Sequence, residues 1–249
     1  MAKMGSKEIK EFNFSRGAII ANKYEVFEKL GSGWEGEVYR VIEIESGVER
    51  AAKFYFPKRN PRNKVASRNA MKLHKLSYCP IIIRYHTQEI IKYKQNAITC
   101  VVSEYFDGEI LSEFLEGQQG KRISVMQGLI LLHNLASGLE TMHRLGEYHG
   151  DLHSENILIK RYGLGFELKL LDLHHWGDSK KANIEEDICN SIRIFYDAIG
   201  GSPRYAKQPI EVKEICLGLK KSLILKKFRS AAELKKHIEN INWQSSTRV

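Results

Sequence analysis

Apolar residues alternate with polar ones in the segment 38–46, VYRVIEIES, and beyond Phe106 the pattern changes to helical spacing. A two-residue period buries one face of a strand, whereas a period near 3.6 draws an apolar stripe along a helix. The chain must therefore build a sheet first and a helical body second. Segments 24–30, 37–45 and 48–56 read as strands separated by Gly-containing turns, and 63–77 as a helix marked by Val65, Met71, Leu73 and Leu76. Segments 81–94 and 97–106 are two further strands. A short helix at 108–117 precedes a long one at 124–146, whose Leu132, Leu135, Leu139 and Met142 fall at helical spacing. A polar loop follows, then a strand pair at 157–161 and 167–173, then helices at 185–199, 209–220 and 230–241, with Ser230 as a cap. The expected fold is α+β, with a small antiparallel β-sheet lobe carrying one helix over 1–105 and a mostly helical lobe over 106–249. A cleft between two such lobes is a natural place for a ligand.

Length and composition bound this picture. The 249 residues suit one large domain or two lobes, and 43% apolar with 28% charged residues is ordinary globular usage. No apolar run approaches the roughly 20 residues of a membrane helix, and the polar N-terminus carries no signal-peptide pattern, so no membrane span is expected. Cys79, Cys100, Cys189 and Cys216 lie far apart and form no CxxC pair, which suits reduced thiols in the cytoplasm. Lys and Arg outnumber Asp and Glu by 39 to 30, for a net charge of +9. Between Ala51 and Gln88 there is no acid, yet Lys53, Lys58, Arg59, Arg62, Lys64, Arg68, Lys72, Lys75 and Arg84 all fall there. The 58–75 stretch suits an acidic or polyanionic partner or a solvated helix face, and a second basic excess over 213–236 reads the same way.

Three groups of residues carry chemistry. The first is the glycine-rich turn Gly31-Ser32-Gly33-Trp34-Glu35-Gly36, which lies between two strands. A dinucleotide-binding fold would open a helix there, so that reading fails; glycines in a hairpin can instead lower backbone N–H groups onto phosphates. The second is Lys53, flanked by Ala52 and Phe54 in a strand, a half-buried ammonium that needs an anion. The third is the loop His149-Gly150-Asp151-Leu152-His153-Ser154-Glu155-Asn156, followed later by Asp172 at the end of a strand. Oxygen side chains at adjacent strand ends can share one Mg²⁺, and a nearby Asp can take the proton of an attacking hydroxyl. His149, His153, His174 and His175 make a His-rich neighbourhood around them, but at no recognised transition-metal spacing.

Taken in order, these segments resemble the protein kinase superfamily over roughly residues 20–240. GSGWEGEVY looks like its glycine-rich loop, AAK like its lysine strand, and HGDLHSEN like its catalytic loop; DLH stands where kinases carry DFG. The resemblance implies ATP and Mg²⁺ as cofactors. Gly31, Ser32, Gly33, Gly36 and Val38 would cover the nucleotide, Lys53 would hold its phosphates, and Glu104 to Phe106 would frame the adenine, with Ser103 near the gatekeeper. Asp151 would be the catalytic base, with Asn156 and Asp172 as metal ligands.

The chain also departs from that family. Where kinases place a carboxylate on the helix before Pro80, this sequence has Ala70, so Lys53 lacks its usual ion-pair partner unless one comes from elsewhere, such as Asp172 or the N-terminal segment. The catalytic loop reads His-Gly-Asp rather than His-Arg-Asp, and His153 replaces a Lys, features more like the aminoglycoside phosphotransferases. Only fourteen residues separate Asp172 from Asp187, so the peptide-binding segment is largely missing. The expected function is an atypical serine/threonine protein kinase with a protein acceptor. A small-molecule kinase and a nucleotide-binding pseudokinase scaffold are the alternatives.

Overall fold

The computed structural model describes residues 9–163, 165–173 and 180–242. They divide into two compact units, 9–77 with 83–106, and 78–82 with 107–242.

The first unit is an antiparallel sheet of β1 (Ile19–Ile20), β2 (Tyr24–Ser32), β3 (Gly36–Glu43), β4 (Glu49–Tyr55), β5 (Tyr85–Tyr93) and β6 (Asn96–Glu104), with one helix, α1 (Lys64–Lys75). The strand order is β1-β2-β3-β4-β6-β5. The alternation seen in the sequence is that of its faces. Val26, Tyr39, Val41, Ala52, Phe54, Cys100 and Val102 point to one side, where Phe12 of the N-terminal segment is buried among them. Phe12 stacks on Phe14 and Phe56, and its carbonyl accepts from the Tyr93 hydroxyl at 2.5 Å.

An acid lies in this apolar layer. Glu37 is 1% exposed and accepts from the Phe12 N–H at 3.2 Å, the Tyr39 hydroxyl at 2.6 Å and the Lys29 ammonium at 2.6 Å. Burial alone would raise its pKa, but the hydrogen bonds from Lys29, Tyr39 and Phe12 outweigh that and hold it below the usual carboxylate value.

On the opposite face, Ala66 of α1 packs against Tyr55 and Val101. The helix starts where the Asn60 side-chain oxygen accepts from the N–H groups of Val65 and Ala66, at 3.1 and 3.2 Å. Its buried positions are Ala66, Ala70 and Lys72, so Met71 is not the apolar marker expected: it is 67% exposed. Position 71 lies one helical step, about 100°, round from Ala70 and so turns away from the sheet. Segment 81–94 is also shorter as a strand than expected. β5 begins at Tyr85, and Ile82 makes only an isolated bridge to Leu170 within the second unit.

The second unit runs β7 (Glu109–Ile110), α2 (Leu111–Glu116), α3 (Val125–Arg144), β8 (Ile157–Tyr162), β9 (Gly165–Leu170), α4 (Lys180–Ala198), α5 (Gly201–Tyr205), α6 (Ile210–Cys216), α7 (Lys221–Lys227) and α8 (Ala231–Glu239). Its three strands pair in the order β7-β8-β9. Ser124 and Gln127 close a reciprocal capping box on α3. Leu132 and Ala136 of α3 pack with Ile188, Ile192 and Phe195 of α4 and with Val212, Ile215 and Phe228. Ser230 caps α8, its hydroxyl accepting from Glu233 N at 3.2 Å. Among the described residues no helix is long and apolar enough to cross a membrane, and all four cysteines are free.

Candidate active site

The loop between α3 and β8 is organised by a residue that sequence reasoning passed over. Asp187 of α4 lies on the stripe formed by Ile188, Ser191, Ile192 and Phe195 and is 1% exposed. Its carboxylate accepts from the N–H groups of His149 at 2.7 Å and Gly150 at 3.0 Å, and from His143 Nε2 at 3.1 Å. Gly150 sits at φ +83°, where a side chain would be strained, so the backbone itself calls for glycine in His-Gly-Asp. The signal was present in the sequence, since an acid on the apolar stripe of a helix needs buried donors.

His149 is fully buried and braces two segments. Its Nε2 lies 2.9 Å from the Leu171 carbonyl, and its Nδ1 accepts from Asp151 N at 3.2 Å. One neutral tautomer, protonated at Nε2, satisfies both contacts. With both nitrogens committed to the backbone, His149 is no metal ligand. His174 and His175 lie outside the described residues, and among those described no three His, Cys, Asp or Glu side chains gather as a metal site.

Asp151 and Asn156 are brought together. The Asn156 amide nitrogen donates to the Asp151 carbonyl at 2.9 Å, and lies 3.4 Å from Asp151 Oδ2 and 2.9 Å from His153 Nε2. The amide oxygen therefore faces away from Asp151. Leu171 N donates to the Asn156 carbonyl at 2.9 Å, and Ile157 pairs with Leu170, so Asp172 sits beside Asn156 at the same end of β8–β9. Asp172 has φ +47°, a left-handed conformation that Asp tolerates better than most residues. An amide oxygen and a carboxylate are hard donors, the kind Mg²⁺ takes.

The first unit holds the remaining expected residues. Its three loop glycines are not equivalent. Gly36 pairs with Tyr55, and a Cβ there would lie 1.9 Å from the Phe54 carbonyl oxygen, so Gly36 is a packing glycine. A Cβ on Gly31 or Gly33 would meet nothing within 4 Å. Ser32 pairs with Glu37, while Val38 pairs with Lys53, which pairs in turn with Val101; these last three share the face that α1 covers.

Lys53 has a carboxylate partner within its own unit. Its ammonium lies 2.8 Å from Glu35, at the apex of the glycine-rich turn, and 5.3 Å from the Tyr55 ring centroid. Ala70, at the position where the family carries its acid, is buried. Glu35 lies eighteen residues upstream of Lys53, and the hairpin returns its apex to the next strand. Ser103 Oγ lies 3.4 Å from the Ala51 carbonyl. Glu104 uses its N–H on the Arg84 carbonyl at 2.9 Å, and its carboxylate accepts from Arg84 N at 3.1 Å. Phe106 ends the unit.

Comparison with known proteins agrees with this geometry. Residues 24–207 match the protein kinase domain. Serine/threonine-protein kinase pkn2 of Myxococcus xanthus is 27% identical over 190 residues, which cover 75% of this chain and 21% of that protein. Dual specificity testis-specific protein kinase 1 of Homo sapiens is 30% identical over 139 residues, 56% of this chain and 21% of that protein. The chain thus spans about a fifth of the length of these two relatives. The solved kinase domain of Mycobacterium tuberculosis PknI shares the fold at a TM-score of 0.64 and 17% identity, covering 92% of this chain and 99% of that one. With the family model matching most of its length, this chain belongs to the protein kinase domain family, a family of phosphotransferases.

Proposed function

We propose that this chain is an ATP- and Mg²⁺-dependent protein kinase that phosphorylates serine or threonine hydroxyls. The observation that carries the reading is the locked pair Asp151–Asn156, held by a loop whose backbone is anchored on buried Asp187. Asp151 orients the acceptor hydroxyl and takes its proton. Lys53 holds the nucleotide phosphates, beneath Gly31 and Gly33. Glu104 to Phe106 frame the adenine with backbone groups. Asn156 and Asp172 would hold Mg²⁺, which when bound neutralises phosphate charge. The exposed basic residues of 58–75 favour an acidic protein acceptor or partner, and the free cysteines suit the reducing cytoplasm.

A small-molecule kinase is the second reading. It is favoured by His153, which touches Asn156 at 2.9 Å, and by the short interval between Asp172 and Asp187. The test is incubation with γ-labelled ATP and Mg²⁺, with protein acceptors or with aminoglycosides. Label on protein that disappears in Asp151→Asn supports the first reading, and label on small molecules alone supports the second. ATP binding with no transfer to any acceptor would leave a pseudokinase scaffold.

A further inference from the structure

The apex of the β2–β3 hairpin is folded back onto the strand beside it. The Glu35 carboxylate lies 2.8 Å from the Lys53 ammonium, and the Glu35 carbonyl accepts from Phe56 N at 2.9 Å. Next to it the Arg59 guanidinium stacks on the Trp34 ring, 3.1 Å from its centroid, although the indole remains 73% exposed. The side chains of Lys53 and Glu35 are 20% and 29% exposed, so solvent screens the pair less than it would a pair on the open surface. Gly31 and Gly33, on the β2 side, have open space around them, so the apex can shift without breaking packing there. An ammonium among apolar neighbours requires an anion, and Glu35 supplies one from within the chain.

We propose that Glu35 is a built-in competitor for the phosphate seat on Lys53, and that the Trp34–Arg59 stack is the latch holding it there. The inference rests on the nucleotide reading of Lys53 given above. Binding a polyphosphate then exchanges one anion for another at the Lys53 Nζ, because a carboxylate left in place would face phosphate charge across a single ammonium. A triphosphate wins that exchange more readily than a diphosphate. Adenosine, which carries no phosphate, is indifferent to it.

Calorimetric titration of ATP, ADP and adenosine into the wild-type chain, Glu35→Gln and Trp34→Ala tests this. Glutamine keeps the size of the side chain and removes its charge. ATP is expected to bind roughly five- to tenfold more tightly to Glu35→Gln, the effect of losing one partly buried ion-pair competitor. Trp34→Ala should give a smaller gain, the ATP-over-ADP preference should narrow in Glu35→Gln, and adenosine affinity should not move. In a Lys53→Met background the gain from Glu35→Gln should vanish. Equal or weaker ATP binding by Glu35→Gln would overturn the proposal and make Glu35 a support for Lys53. A parallel change in adenosine affinity would overturn it too, by placing the effect away from the phosphates. A wild-type chain that binds neither ATP nor adenosine would instead remove the nucleotide reading itself.

Discussion

Asp187 takes three donors with one carboxylate, so its removal takes this acceptor away from two backbone N–H groups and one imidazole. Each loss of this kind costs about 1–3 kcal/mol. Asp187→Ala is expected to lower stability in urea titration by several kcal/mol and phosphotransfer by at least about a hundredfold; a variant as stable and active as wild type would show the loop to be held by other contacts. Glu37 gives a pH prediction. Its native pKa is depressed from 4.5, so its contribution is whole above that value and is lost as pH falls through the lowered native value. Stability of the wild type should therefore fall on acidification below about pH 4.5, while Glu37→Gln, less stable at neutrality, should show a flatter acid limb in thermal melts. The loop glycines separate two roles. Gly36→Ala should destabilise the hairpin, because its Cβ would meet the Phe54 carbonyl, whereas Gly31→Ala and Gly33→Ala should melt like wild type but bind ATP less well. Residues defined by type and spacing, such as Asp151 and Asn156, were legible in the sequence. Asp187 showed there only as an acid on an apolar stripe and Glu35 only as a turn residue, because folding alone brings their partners near.

At the scale of elements, the long periodic segments were legible and the short ones were not. The two-residue strands β1 and β7, and the short helices α5 and α7, are too brief to display a period. The β5–β6 hairpin shows how turn chemistry can be overruled. Tyr93 pairs with Asn96, and the two residues between them, Lys94 and Gln95, sit at φ +43° and +67°. Such a turn favours Asn-Gly, and an ordinary side chain in the left-handed region costs roughly 1–2 kcal/mol. Replacing Lys94-Gln95 by Asn-Gly is expected to stabilise the chain by about 1–2 kcal/mol, raising Tm by a few degrees with ATP affinity unchanged. Calorimetry would decide it, and an unchanged Tm would mean that the turn carries no strain.

For the molecule as a whole, the switch of period near Phe106 foretold a sheet-bearing unit and a helical one. It could not foretell that 78–82 joins the second, since that depends on packing between segments far apart in the chain. Charge acts at this scale as well. The basic excess over 213–236 is partly spent internally, on Lys221–Glu186, Lys227–Glu214 and Lys235–Glu140. Arg62, Lys64 and Arg68 remain exposed. An acidic protein acceptor should therefore show a KM that rises with salt between 50 and 200 mM, over roughly the range where the Debye length drops below 10 Å. Arg62→Glu with Arg68→Glu should raise that KM severalfold at constant kcat, and an unaffected KM would assign the acceptor to another surface. Where the glycine-rich hairpin is concerned, the close seating of Gly36 against the Phe54 carbonyl has a mechanical result. One leg is nailed down, so any swing is absorbed by the opposite leg around Gly31 and Gly33, and the flap turns like a page about its spine rather than lifting bodily.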